Sequence, residues 1–282
     1  MNYSQKLLNR NLIFGLRKPL AFICKDFINE SSYKLAFVSQ LLGIFFTTVV
    51  WFFLSNLFGT SVSPYLKKYG GDYFSFVLIG ISFTNYLEVS LRSFSSTIRS
   101  AQTLGTLEAM LVTQTKANMI IFSSSLYSFI ITSFRVFVYL LCGALFFGLP
   151  MGNANYAGAS LILIITIACF SSLGIISASF IMVFKKGNPL NWIFVNLSYL
   201  LGGVLYPISV LPNWLEKISY FLPITYSLEG MRMALIKGYS THDLLPNIIP
   251  LIGFTVVLLP LSMFVFDLSV KRAKMEGSLI QY

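Results

Sequence analysis

Charged side chains, histidine and cysteine are all scarce in this chain, and each scarcity removes a class of function. Charged residues make up 11% of the 282 positions, where soluble domains carry about 25%, so a water-soluble globule is excluded. The single histidine, His242, stands beside Asp243 in a polar stretch with no nucleophile spaced to use it, which leaves little for acid–base chemistry. Cys24, Cys142 and Cys169 show no C-x-x-C or metal-ligand spacing and read as small reduced hydrophobes. No glycine is followed by the Lys-Ser or Lys-Thr that closes a phosphate-binding loop, so ATP is not expected to bind this chain by itself. A cleavable leader is also missing: "NLIFGL" is short and is broken at once by Arg17 and Lys18.

What is present is apolar. Hydrophobic residues are 56% of the chain and mean hydropathy is +0.75. Runs of roughly 20 apolar residues span a bilayer as helices, and the sequence predicts an all-α membrane protein with six transmembrane helices. They fall at about 35–58, 73–95, 117–147, 157–184, 188–215 and 247–266. The fifth is charge-free but punctuated by Pro207 and Pro212.

Lysine and arginine placement sets the orientation. With the N-terminus inside and six alternating spans, thirteen of the twenty basic residues fall on the inner side. Lys67, Lys68, Lys217, Arg232 and Lys237 fall outside, and Arg92 and Arg135 lie within spans. Both termini are therefore expected in the cytoplasm of a multi-pass plasma membrane protein (the bacterial inner membrane). The formal charge of +10 is read as a topology signal, and nucleic acid is not an expected partner. Three regions follow: 1–34, a cytoplasmic N-terminus; 35–268, the six-span domain; and 269–282, a cytoplasmic tail.

Three short segments are neither spans nor simple loops. Residues 19–30, "PLAFICKDFINE", place Leu20, Ile23, Phe27 and Ile28 on one side, as an interfacial helix in the headgroup plane does. Residues 208–238 contain two short amphipathic patterns fenced by Pro212, Pro223 and Gly238, each too short to span. They read either as a re-entrant hairpin dipping in from outside or as an extracellular cap. Residues 100–116 carry Thr106 as a candidate helix cap, Glu108 in the first turn, and Leu104, Leu107 and Leu111 as a stripe. That helix either transmits force from a soluble partner or lies along the membrane as a linker.

Two of these segments carry a resemblance. "LGTLEAMLVTQT" resembles the "GTLE-x-LL-x-TP" segment after the second span in ATP-binding-cassette exporters of the type-2 permease class, with Gln114 where relatives often have proline. Residues 201–232, "LGGVLYPISVLPNWLEKISYFLPITYSLEGMR", resemble that class's proline-rich stretch before the last span. The resemblance implies that Gly105, Thr106, Leu107, Glu108 and Leu111 belong to a coupling helix that docks on the ATPase. It implies that Pro207, Pro212, Trp214, Pro223, Tyr226, Glu229 and Arg232 shape an outer gate of re-entrant helices, and that residues 19–30 form the elbow helix. It further implies a separate ATPase subunit holding ATP and magnesium, no cofactor in this chain, and a homodimer or a pairing with a similar half. The function implied is the permease subunit of an exporter moving an amphipathic, lipid-linked or saccharide substrate. The competing reading is an intramembrane lipid-modifying enzyme.

Charges inside the membrane are costly and are functional candidates. Glu88 and Arg135 lie about 22 and 18 Å below the outer ends of their spans at 1.5 Å per residue. An ion pair between them is expected to compete with Glu88–Arg92 at i, i+4. Aromatics such as Trp51, Phe52, Phe53, Trp192, Phe194, Tyr199 and Tyr206 either line a pathway or face lipid and neighbouring helices.

Overall fold

The structure, a computed structural model, describes residues 27–28, 34–58, 63–103, 105, 117–184 and 189–275, the side chains of 63, 117–121 and 124 excepted. Regular structure among these residues is helical throughout. In chain order the helices are α1 (Lys34–Phe58), α2 (Ser63–Leu66), α3 (Tyr73–Thr103), α4 (Ala117–Phe147), α5 (Tyr156–Phe184), α6 (Pro189–Leu201), α7 (Asn213–Ser219), α8 (Pro223–Leu235) and α9 (Leu245–Met275). Short 3-10 turns cover Lys67–Tyr69 and Ile208–Val210.

Among the described residues five helices are long and apolar enough to cross a membrane: α1, α3, the Ser125–Phe147 part of α4, α5 and α9. In hydrocarbon each backbone group has to be paired within the segment, which is why these runs are helices despite their many β-branched and aromatic residues. Their hydroxyls fold back onto the same backbone. Ser82 Oγ donates to the Leu78 carbonyl (2.6 Å), Thr84 Oγ1 to Gly80 (2.7 Å) and Thr255 Oγ1 to Leu251 (2.7 Å).

The core is built around α3 and α5. α5 packs along both α3 and α9, α4 also packs along α3, and α1 leans on α4 and α3 with most of its surface exposed. Small residues let the central pair approach closely. A Cβ on Gly174 would lie 2.5 Å from the Ser90 carbonyl oxygen and 2.5 Å from the Phe94 ring, and beside it Ser90 Oγ donates to the Phe170 carbonyl. At the far end Phe52 of α1 packs against Phe74 and Phe147, with ring centroids 5.6 and 4.7 Å away.

The fifth hydrophobic run departs from expectation. Residues 188–215 do not form one helix: α6 has 13 residues, about 20 Å at 1.5 Å per residue, short of the roughly 30 Å hydrocarbon layer. The chain turns at Gly202 and Gly203. Gly203 has φ +73°, and a Cβ on Gly202 would lie 2.5 Å from the Ser198 carbonyl oxygen and 2.7 Å from Ile224. Pro207 and Pro212 then hold extended backbone. At the other end of the chain, α9 runs through Pro250 and Pro260 and continues to Met275, well past residue 266. Arg272 and Lys274 sit in its last turn, where positive charge suits the helix dipole. Of the interfacial segment 19–30 only Phe27 and Ile28 are described, both helical and exposed; the rest lies outside the described residues.

Gly174→Ala is expected to destabilise by about 1–3 kcal/mol, the range for overpacking a close contact. Gly253→Ala, where a Cβ meets nothing within 4 Å, serves as the comparison. Thermal unfolding of both variants in detergent checks this, with the drop confined to Gly174→Ala.

Candidate functional site

The proline-fenced region is organised by one side chain. α8 is a 13-residue helix opened by Pro223, whose missing N–H costs nothing at a first turn. Eleven of its residues are buried, and it packs on α5, α9 and α3. From its last turn Arg232, only 3% exposed, reaches across to α3. Its Nε donates to the Phe76 carbonyl (3.1 Å) and its Nη2 to the Val204 carbonyl (3.0 Å). The guanidinium lies 3.5 Å from the centroid of the Phe76 ring and 5.9 Å from that of Tyr69, a cation–π arrangement. Gly80 makes room for it, since a Cβ there would collide with the Val204 carbonyl and approach Arg232 Nη2 to 2.6 Å. Arg232, counted among the outer-side basic residues in the sequence, is therefore a core group that satisfies interrupted backbone.

The other residues expected at an outer gate lie along the same stretch of chain. Glu229, one turn before Arg232, forms an ion pair with Lys68 in the turn after α2. Burial pulls the Lys68 ammonium down, but the hydrogen bond and charge of Glu229 outweigh it and hold the group above its ordinary 10.5. Thr225 Oγ1 donates to the Ser219 carbonyl (2.8 Å), joining the start of α8 to the end of α7. Thr166 and Ser227 share a hydrogen bond of 2.8 Å between α5 and α8. Pro207 precedes the 3-10 turn and Pro212 precedes α7. Tyr226 packs against Tyr220 and Phe254. Trp214 and Phe221 of the α7 region are exposed.

The intramembrane charges lie farther along α3. Tyr199 of α6 donates to Glu88 Oε1 (3.2 Å). Arg135 and Arg92 line one cavity between α4 and α3. Nearby, Ser177 Oγ donates to Asn191 Oδ1 (2.7 Å) and Asn191 Nδ2 to the Leu91 carbonyl (3.2 Å), holding α5, α6 and α3 together. Among the aromatics singled out in the sequence, Trp51 and Phe194 pack on the core, while Phe53 and Trp192 are exposed. Tyr206 donates its hydroxyl to the Leu200 carbonyl.

The segment expected to couple to an ATPase is described only at its entrance. Residues 100–103 are still the last turn of α3, and Gly105 follows with φ +66° and its N–H on the Gln102 carbonyl (3.2 Å), a left-handed helix stop. Thr106, Leu107, Glu108 and Leu111 lie outside the described residues. Cys142 and Cys169 are free thiols, and Cys24 is not described. His242 is exposed in a turn where Asp243 accepts from Ser240 N (3.3 Å) and Oγ (2.7 Å), so that carboxylate shapes the turn. Sequence reasoning missed Lys68, Phe76, Val204 and Gly80. Lys68 and Glu229 are 161 residues apart, and a carbonyl acceptor leaves no mark in a sequence.

Comparison with known proteins decides the class. Residues 21–236 match the model of a family described as "ABC-2 type transporter". The chain belongs to that family. The permease is also 23% identical over 186 residues to the inner membrane transport permease YadH of Escherichia coli K12, covering 66% of this chain and 70% of that one. YadH of Shigella flexneri matches to the same extent. The matched span includes every helix from α1 to α8, and the anchor residues Lys68, Gly80, Glu229 and Arg232 all fall inside it.

Arg232→Met is expected to lower stability by roughly 2–4 kcal/mol, because two buried carbonyls lose charge-assisted donors. Glu229→Gln costs under about 1 kcal/mol, since Lys68 is 60% exposed and its pair is screened. The Lys68 contribution is complete below pH 10.5 and falls away as pH rises through the higher folded value. Unfolding midpoints of wild type and Lys68→Met, compared from neutral to strongly alkaline pH, should converge at the alkaline end.

Proposed function

We propose that this permease is the membrane-embedded half of an ATP-driven exporter, moving an amphipathic, lipid-linked or saccharide substrate out of the cytoplasm or the inner leaflet. Its energy comes from a separate ATPase subunit, which binds ATP and magnesium. The family match over residues 21–236 carries this reading, and the name of its relative, an inner membrane transport permease, supports placement in that membrane. The buried α8, held to α3 through Arg232, supports a plug that closes the outer end of the pathway.

In this reading both termini are cytoplasmic and α6 completes a sixth crossing together with the irregular backbone that follows it. α7 and α8 are the re-entrant pair. Two copies, or one copy and a similar half, enclose the path among membrane lipids. Residues 104–116 form the coupling helix, with Thr106 as cap, Glu108 in the first turn, and Leu107 and Leu111 facing the ATPase. Nucleotide-driven movement of that segment shifts α3, whose other end carries the plug.

Affinity purification of the permease from its native membranes is expected to bring down a Walker-type ATPase. Glu108→Arg should reduce that association roughly tenfold, about 1.4 kcal/mol, while leaving the amount of permease in the membrane unchanged. Wild-type levels of bound ATPase in the variant overturn the assignment of the segment, and absence of any ATPase from the wild-type assembly overturns the exporter reading.

A further inference from the structure

A short strap crosses the end of α8. It consists of α2 (Ser63–Leu66) and the 3-10 turn Lys67–Tyr69 that follows it. Three consecutive residues here meet one side of α8 and the residue after it. Lys68 pairs with Glu229, and the Arg232 guanidinium lies 5.9 Å from the centroid of the Tyr69 ring. A Cβ on Gly70 would lie 3.4 Å from Ile236 Cγ2. Glu229, Arg232 and Ile236 stand at i, i+3 and i+7, positions that share one helix face.

The remaining sides of α8 are taken. It packs on α3, α5 and α9, with Arg232 on the Phe76 and Val204 carbonyls and Ser227 on Thr166. Gly230 leaves no room for a side chain, since a Cβ there would lie 2.8 Å from Ile162 and 3.3 Å from Asn247. The two α8 residues that keep partial exposure are Tyr226 and Glu229, one turn apart. Among the described residues, the side of α8 left open by other helices is thus the side under the strap.

The strap is built as a unit. Gly70 N donates to the Lys67 carbonyl (3.3 Å) and Gly71 N to the Leu66 carbonyl (2.9 Å), closing the turn on itself. Among the described residues it makes no backbone hydrogen bond to another element. Two buried side chains hold it down: Leu66, and Tyr69, whose ring stands edge-on to Phe76 with centroids 5.0 Å apart. The third tie is the screened Lys68–Glu229 pair. By contrast eleven residues of α8 are buried. Segments with fewer buried contacts open at lower cost, so the strap opens before α8 does. Next to it Gly70 and Gly71 have φ +101° and +81°, a joint that glycine adopts without strain. Asp72 then fixes the start of α3, accepting from Phe74 N (3.2 Å) and Ser75 N (2.9 Å).

We propose that the Ser63–Tyr69 strap is a latch on α8: it swings away as one body on Gly70–Gly71, and α8 parts from α3 only afterwards. The latch adds a preceding step to the exporter reading and rests on that reading in treating α8 as the plug. Lifting the strap breaks the Glu229 pair and uncovers the Tyr69 side of Arg232. Water then reaches the carbonyls that Arg232 holds and replaces its hydrogen bonds, which lowers the cost of moving α8.

Cysteine reporters in the purified full chain in detergent test this, with maleimide incorporation read at each position by peptide mass spectrometry. Tyr65→Cys reports an exposed strap position, Leu66→Cys a buried one, and Leu228→Cys the buried body of α8. Tyr65→Cys is expected to label at least about tenfold faster than Leu66→Cys, and Leu66→Cys faster than Leu228→Cys. Lys68→Met should speed Leu66→Cys and Leu228→Cys by one common factor, up to about fivefold for a screened pair, and leave Tyr65→Cys unchanged. Thr166→Val, which removes a tie between α5 and α8, should speed Leu228→Cys alone. Hydrogen exchange of amides 223–235 in Lys68→Met, without any added cysteine, should rise by the same factor and covers a reporter that misfolds. Lys68→Met leaving Leu228→Cys and the α8 amides unchanged overturns the latch. Thr166→Val speeding Leu66→Cys equally, or Leu228→Cys labelling faster than Leu66→Cys, overturns the order of opening. No ATPase is needed, so a failed ATPase co-purification and an unlatched α8 are distinct results.

Discussion

Backbone that leaves a helix inside a membrane protein must find its hydrogen bonds from something other than water, and Arg232 supplies them where α6 gives out. The chain cannot continue as a helix through Gly202, Gly203 and Pro207, so carbonyls between α6 and α7 are released from their ladder. A lysine in place of Arg232 would bring one point charge; the guanidinium brings separate N–H groups in a fixed plane and reaches Val204 and Phe76 together. Much else follows from that geometry. Gly80 has to lack a side chain, α8 has to lie against α3, and the Lys67–Tyr69 turn has to fold over the same spot so that Tyr69 covers the guanidinium and Lys68 meets Glu229.

Arg232, Arg92 and Arg135 differ in their surroundings. Arg232 is spent on backbone and stacked on Phe76, and its burial is compensated within the protein. Arg92 and Arg135 instead border a cavity, and Arg92 is exposed at its edge. The outward face of α1 and that of α9 before Asp267 are largely apolar.

Much of the fold was legible because lipid imposes a length rule. The runs at 35–58, 73–95, 117–147, 157–184 and 247–266 all became long helices, although α3 and α9 outran their apolar cores. The fifth run, read as a charge-free span punctuated by Pro207 and Pro212, holds a helix of 13 residues, because hydropathy registers the absence of charge and is blind to Gly202–Gly203, where φ and close approach decide the path. Family membership was legible from two motifs whose residues have fixed spacing. The Arg232 anchor was visible only as a residue within a motif and as one of the outer-side charges, with nothing to mark that its partners are carbonyls. The Glu88 environment was half legible: its depth followed from arithmetic, but the Tyr199 hydroxyl comes from a helix whose rotation the sequence does not fix.

α3 is the element on which these features converge. It has no proline and runs unbroken for 31 residues, whereas α9 contains two prolines. Its first turns carry the Arg232 contacts, its middle holds Tyr86–Ser133 and the Asn191 contact to Leu91, and its last turn reaches the Met182 carbonyl of α5 through Gln102. Gly105 then ends it at the entrance to the segment proposed to meet the ATPase. A straight rod fixed at both ends transmits an axial or tilting displacement with little loss, whereas a proline hinge would absorb it. On the proposed reading, force applied beyond Gly105 reaches the Phe76 and Val204 carbonyls through one rigid body and passes the α3–α4 seam on the way. No second relay through α5 or α9 is required.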